Sequence, residues 1–99
     1  MYDIEEIKQY IKGKISKKDA LFLQKAYDFA YKAHKGQSRL DGTPYFSHLF
    51  ETAKILAQLG MDISSISTGF LHDILEDTPV TEKKLEKEFG PDIVFLVKG

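Results

Sequence analysis

Apolar residues in this chain recur at intervals of three and four, and no segment alternates with period two long enough to form a strand. The expected fold class is therefore all-α. Ile4, Ile7 and Ile11 mark a first short helix, ended by Gly13 and the lysines around it. Ser16 and Asp19 have capping-box spacing ahead of a long second helix, on which Leu23, Ala26, Tyr27, Ala30, Ala33 and His34 repeat. Gly36, Asp41-Gly42 and Pro44 break the pattern, so 36–46 is expected to be a loop. A third helix is expected over 47–59, with Leu49, Ala53, Leu56 and Ala57 on one face and Gly60 closing it. Asp62 can cap a fourth, whose wide apolar set (Ile63, Ile66, Phe70, Leu71, Ile74, Leu75) predicts central burial up to Pro79, with Gly69 permitting a close backbone approach. Thr81 can cap a fifth that pairs Leu85 with Phe89, and Gly90-Pro91 separates a sixth. That sixth helix carries Ile93, Leu96 and Val97 but reaches Gly99 without a polar last turn, the pattern expected of a bundle truncated at its C-terminus.

Ninety-nine residues suit one folding unit or part of one, and 42% hydrophobic with 29% charged residues excludes collagen-like, low-complexity and disordered classes. The polar, acidic first ten residues and the lack of any long apolar run lead to a cytoplasmic expectation. With no cysteine, chemistry must come from His, Asp, Glu or hydroxyl groups. A net charge of −1 argues against nucleic-acid or anionic-membrane partners. Charge is unevenly spread: residues 19–78 carry five basic against eight acidic groups, and also all three histidines and the only arginine. A site is expected there.

His72-Asp73 and Glu76-Asp77 place one imidazole and three carboxylates within six positions of a helix with apolar neighbours. On a continuous helix His72 would stack on Glu76 and Asp73 on Asp77 at i, i+4. A divalent cation would relieve that crowding, and histidine with carboxylate suits a borderline metal such as Mn, Fe or Zn. The competing reading makes the acids a solvated helix face and His72 a residue satisfied by a backbone carbonyl. His48 starts the preceding helix and could reach across as a third ligand, while His34 reads as a capping histidine packed under the loop. Arg39 lies in that loop, where its planar fork could pair with phosphate or stack on a base; a surface ion pair with Asp41 is the alternative.

Three runs in this order, His34-Lys35-Gly36-Gln37-Ser38-Arg39, Gly42-Thr43-Pro44-Tyr45-Phe46-Ser47-His48 and Gly69 through Thr78, resemble the HD hydrolase domain of RelA/SpoT homologues. The likeness extends through Glu88-Phe89-Gly90 to Gly99. It implies an HD-domain-like bundle, with 1–99 a single partial domain in which 1–18 form an N-terminal helix and linker and 19–99 carry the motifs. It further implies a Mn²⁺-dependent pyrophosphohydrolase that converts (p)ppGpp to GDP or GTP and pyrophosphate. By resemblance His48, His72 and Asp73 are the metal ligands, Glu76 and Asp77 the catalytic acids, and Arg39 the residue packed on guanine. A fourth family ligand would fall beyond Gly99. Two departures bear on pocket electrostatics: Leu49 follows His48 where the family usually has proline, and Leu40 replaces a basic residue after the arginine. Two other readings compete, an HD phosphohydrolase for another nucleotide and a non-catalytic helical interaction module. Self-association is expected through an apolar face formed by Ile93, Val94, Leu96 and Val97.

Overall fold

A computed structural model describes residues 2–99. The described residues form seven helical segments: α1 (Ile4–Lys8), α2 (Lys17–Ala33), α3 (Tyr45–Gln58), α4 (Ile63–Leu71), α5 (Ile74–Asp77), α6 (Glu82–Phe89) and α7 (Pro91–Lys98). The only β contact among them is an isolated bridge between Ser38 and Pro44. Among the described residues no helix is long and apolar enough to cross a membrane.

Local signals start the helices where the sequence predicts. Ser16, Asp62 and Thr81 each accept a backbone N–H three residues on, from Asp19, Ser65 and Lys84 at 3.0, 2.8 and 3.1 Å. Each satisfies a donor that the first helical turn would otherwise leave open. Helix α4 is central and packs against α2, α3 and α7. Its Phe70 is fully buried among Tyr27, Phe46 and Phe50, with ring centroids 5.6, 5.9 and 6.4 Å away. Burying such a side chain contributes roughly 1.5–3 kcal/mol. Gly69 permits the approach of α3: a Cβ there would lie 2.9 Å from Leu56 Cδ1 and 3.2 Å from the Ala53 Cα. Helix α1 lies on α3, where Lys54 Nζ meets Glu6 at 3.1 Å.

Three expectations are corrected. The first helix ends at Lys8, well before Gly13, and Ile11 packs against the core from outside it. The single fourth helix is two segments, α4 and α5, parted at His72-Asp73. At the break the His72 ring bonds the Gly69 carbonyl at 2.8 Å, and Asp73 turns to φ −100°, ψ 2°. The apolar face of α7 is mostly covered, because the helix lies on α4 and α6 with Ile93 and Val94 buried and Val97 half-buried. Of the face on which self-association is expected, only Leu96 stays exposed (42%), next to the exposed Phe95 (77%).

Candidate functional site

Two helix ends converge on one spot. Pro44, with φ −58°, serves as N-cap of α3, so the helix begins at Tyr45 and the expected loop ends two residues early. Tyr45 and His48 then stand one turn apart on the same face, ring centroids 5.7 Å apart. Facing them is the break between α4 and α5. His72 Nε2 lies 3.0 Å and His48 Nε2 3.7 Å from Asp73 Oδ2, and one ligand atom from each residue falls within 4.8 Å of the others.

The protonation pattern suits a cation. A carbonyl only accepts, so the 2.8 Å contact of His72 Nδ1 with the Gly69 oxygen puts the proton on Nδ1. Nε2 then presents a lone pair to the Asp73 oxygen, an opposition that needs a proton or a metal between the two atoms. Burial, helped by the charges of Arg39 and His72 and opposed by Asp73, lowers the His48 pKa and favours its neutral, ligating form. Two imidazole nitrogens and a carboxylate oxygen make a donor set for a borderline divalent metal. His34, buried as the C-cap of α2, points its Nδ1 at Gln37 Oε1 (3.0 Å) and stacks on Tyr45. It packs under the loop, as its capping reading requires.

Helix α5 is one turn, in which the Asp77 N–H donates to the Asp73 carbonyl at 2.9 Å. Asp73 and Asp77 therefore keep the expected i, i+4 relation, whereas regular stacking of His72 on Glu76 is interrupted at the break. Glu76 is exposed on this turn. Arg39 is exposed and lines an open groove of about 410 Å³ with Ser38, Leu40, Tyr45 and His48. Asp41 does not pair with it: that carboxylate accepts the Thr43 N–H (3.0 Å) and hydroxyl (2.7 Å), which hold its pKa down.

Sequence reasoning missed Tyr45 and Gln37. The Tyr45 hydroxyl donates within 2.7 Å of Asp73 Oδ2 and 3.0 Å of Asp77 Oδ2. Burial first, then those two hydrogen bonds, push its pKa above the ordinary phenol range, which keeps the proton on oxygen. Gln37 Nε2 donates to the Asp77 carbonyl at 2.7 Å. The available signal for Tyr45 was its position three residues before His48, visible only once Pro44 is seen to start a helix.

A family model described as HD domain matches residues 26–99. Over 81 residues the chain is 46% identical to a GTP pyrophosphokinase of Myxococcus xanthus, covering 82% of this chain and 11% of that protein. Over 99 residues it is 37% identical to the bifunctional (p)ppGpp synthase/hydrolase SpoT of Escherichia coli K12, covering 100% of this chain and 14% of that one. A solved structure of a metazoan ortholog of SpoT, described as hydrolysing ppGpp and playing a role in starvation responses, superposes with a TM-score of 0.70 at 32% identity. That match covers 87% of this chain and 48% of the other. The chain thus spans a small fraction of these curated relatives and about half of the solved one. HD domains imply a divalent metal, and the donor set of His48, His72 and Asp73 fits one. From the sheath of apolar helices to the histidines at their ends, the chain belongs to the HD domains of the RelA/SpoT (p)ppGpp synthase/hydrolase family.

Proposed function

We propose that this chain contributes the metal-binding half of a guanosine-3′,5′-bis(diphosphate) 3′-pyrophosphohydrolase site, with His48, His72 and Asp73 holding Mn²⁺ or a similar divalent ion. The observation that carries the reading is the convergence of those three side chains, their ligand atoms within 4.8 Å, beside a groove walled by Arg39. Likeness to a SpoT named as a (p)ppGpp synthase/hydrolase and to a metazoan ortholog described as hydrolysing ppGpp supports the substrate. The contact of α1 with α3 supports treating residues 1–18 as part of the same unit as 19–99.

When bound, the cation lowers the pKa of a water and offsets charge on phosphoryl oxygens. The chain's own groups do the rest. Glu76 and Asp77 are the proton acceptors for the attacking water; Asp77 already holds the Tyr45 hydroxyl on Oδ2, which leaves Oδ1 to receive a proton. Water adds to phosphorus and the bond to the 3′-oxygen breaks, the 3′-oxygen leaving as a hydroxyl that takes up a proton in exchange for the one the water gave to the carboxylate, so ppGpp and water become GDP and pyrophosphate. The Arg39 guanidinium, on the groove wall, suits stacking on the guanine face.

Turnover of ppGpp tests this, measured with Mn²⁺ and after chelation. It is run on the chain and on a chimera in which the remainder of E. coli SpoT, carrying an inactivated synthetase, follows residue 99. The reading predicts Mn²⁺-dependent release of pyrophosphate from the chimera, abolished by His72→Ala. A chimera that binds metal and hydrolyses a different nucleotide instead would move the assignment to that substrate. One that binds no metal would favour a non-catalytic module.

A further inference from the structure

The loop that carries Arg39 and the turn that carries the acids come from distant parts of the sequence. The tip of the loop, Arg39 to Gly42, is exposed and closes only on itself, through Arg39 N–H to Thr43 carbonyl at 2.8 Å and Gly42 N–H to Arg39 carbonyl at 2.9 Å. Helix α5 has four residues, far below the ~12–15 at which an isolated helix begins to hold in water. The core holds the turn from beneath, through the buried Ile74 and the Leu75 packed against it, and what is left to fix is its register against the loop.

Two residues set that register. Gln37 reaches across with its side-chain amide, Nε2 donating to the Asp77 carbonyl (2.7 Å) and Oε1 meeting His34 Nδ1 (3.0 Å), while its own carbonyl accepts the Tyr45 N–H at 2.9 Å. Tyr45 continues the path, its hydroxyl donating to the carboxylates of Asp73 and Asp77 at 2.7 and 3.0 Å. The circuit closes, since Asp77 is gripped at its carbonyl by Gln37 and at its carboxylate by Tyr45. The buried His34 ring stacks on the Tyr45 ring, centroids 5.1 Å apart and 12° from parallel, and so limits its tilt. The oxygen that Tyr45 holds, Asp73 Oδ2, is the same one that faces His72 Nε2 and His48 Nε2.

We propose that Gln37 and Tyr45 form a clasp that registers the Arg39 loop and the Asp73–Asp77 turn as one unit, which makes both of them positioning residues of the site. The inference rests on the cation-binding reading of His48, His72 and Asp73 and adds to it. Tyr45 aims the Asp73 carboxylate, and Gln37 transmits that placement to the loop.

The test compares wild type, Tyr45→Phe, Gln37→Met and the double variant by Mn²⁺ titration followed by electron paramagnetic resonance. Melting in chelator and amide hydrogen exchange of the loop are recorded on the same proteins. Loss of a supporting hydrogen bond to a ligand typically weakens metal binding ~10–100-fold. Tyr45→Phe is expected in that range, Gln37→Met at a smaller loss, and the double variant at less than the product of the two. Tyr45→Phe should also speed exchange at the Arg39 and Gly42 amides, although it removes no bond to them. If wild type binds Mn²⁺ and both variants bind it equally well with unchanged loop exchange, the clasp is overturned while the cation site stands. Weakened binding that only follows a fall in melting temperature, with multiplicative effects, also overturns it. Absence of binding by wild type overturns the cation site and the clasp together.

Discussion

Helices α3 and α4 meet twice, in opposite ways. Near the C-terminal end of α4, Gly69 lets the backbone of Ala53 come so near that a Cβ would fall 3.2–3.3 Å from it, and Phe70 beside it is fully buried among aromatic rings. One turn later the same helix breaks, and His72 and Asp73 face His48 across a half-open polar gap with ligand atoms within 4.8 Å. The close-packed contact sets the distance between the helices, and the polar gap uses it. Stability and function are thus separable along one helix pair, and substitutions should sort accordingly.

The largest effect is expected at the polar end. Asp73→Asn keeps the shape of the side chain but removes its charge, and should cost the SpoT chimera at least about a thousandfold in ppGpp turnover, comparable to losing a principal catalytic electrostatic group. Melting of the metal-free protein should change by only a few degrees. At the apolar contact the pattern reverses. Gly69→Ala gains up to ~1 kcal/mol of helix propensity but forces overpacking against the Ala53 backbone, which costs ~1–3 kcal/mol. A net loss of up to about 2 kcal/mol is expected in urea unfolding, and Gly69→Val should lose more. Mn²⁺ affinity weakened by Gly69→Ala in step with the helix separation would sharpen the link between the two ends; unaltered affinity would break it.

Much of this was legible in the sequence, and what was legible was local. Ser16, Asp62 and Thr81 cap helices because a short polar side chain and the N–H three residues on need nothing else. Gly69 was readable as a close approach because a glycine inside an apolar helix demands a packing reason. The break at His72-Asp73 was not readable, since the apolar spacing of Ile63 to Leu75 runs straight through it. Tyr45 was lost for a related reason: Pro44 was read as a loop residue, yet its fixed φ starts α3 and turns Tyr45 toward the acids. Type and spacing singled out His72, Asp73, Glu76 and Asp77, and the resemblance to the RelA/SpoT family added His48 and the roles of all five. The partners that orient them come from residues 28 to 40 positions away and become visible only in three dimensions.

Smaller effects test the helix ends. Asp62 is held below its ordinary pKa by hydrogen bonds from Ser65, so the unfolded chain binds its proton more readily and the stabilisation is present above pH ~4 and lost as pH falls through the folded value. Asp62→Ala should cost ~0.5–2 kcal/mol near pH 7, and the gap to wild type should narrow below pH 4. A gap that widens on acidification would contradict the cap. Ser67, fully buried on α4 with its hydroxyl unpartnered among the described residues, offers the opposite sign. Ser67→Ala removes an unsatisfied group and adds helix propensity, for an expected gain of about 1 kcal/mol, some 4–8 °C in melting temperature.

The central claim is that the polar end is a metal centre built from His48, His72 and Asp73, and Mn²⁺ titration of this chain tests it most directly. The account predicts one saturable site, lost in His72→Ala, with metal-free melting unchanged within a few degrees. Binding that survives His72→Ala undiminished, or wild-type protein that takes up no Mn²⁺ while fully folded, would contradict it.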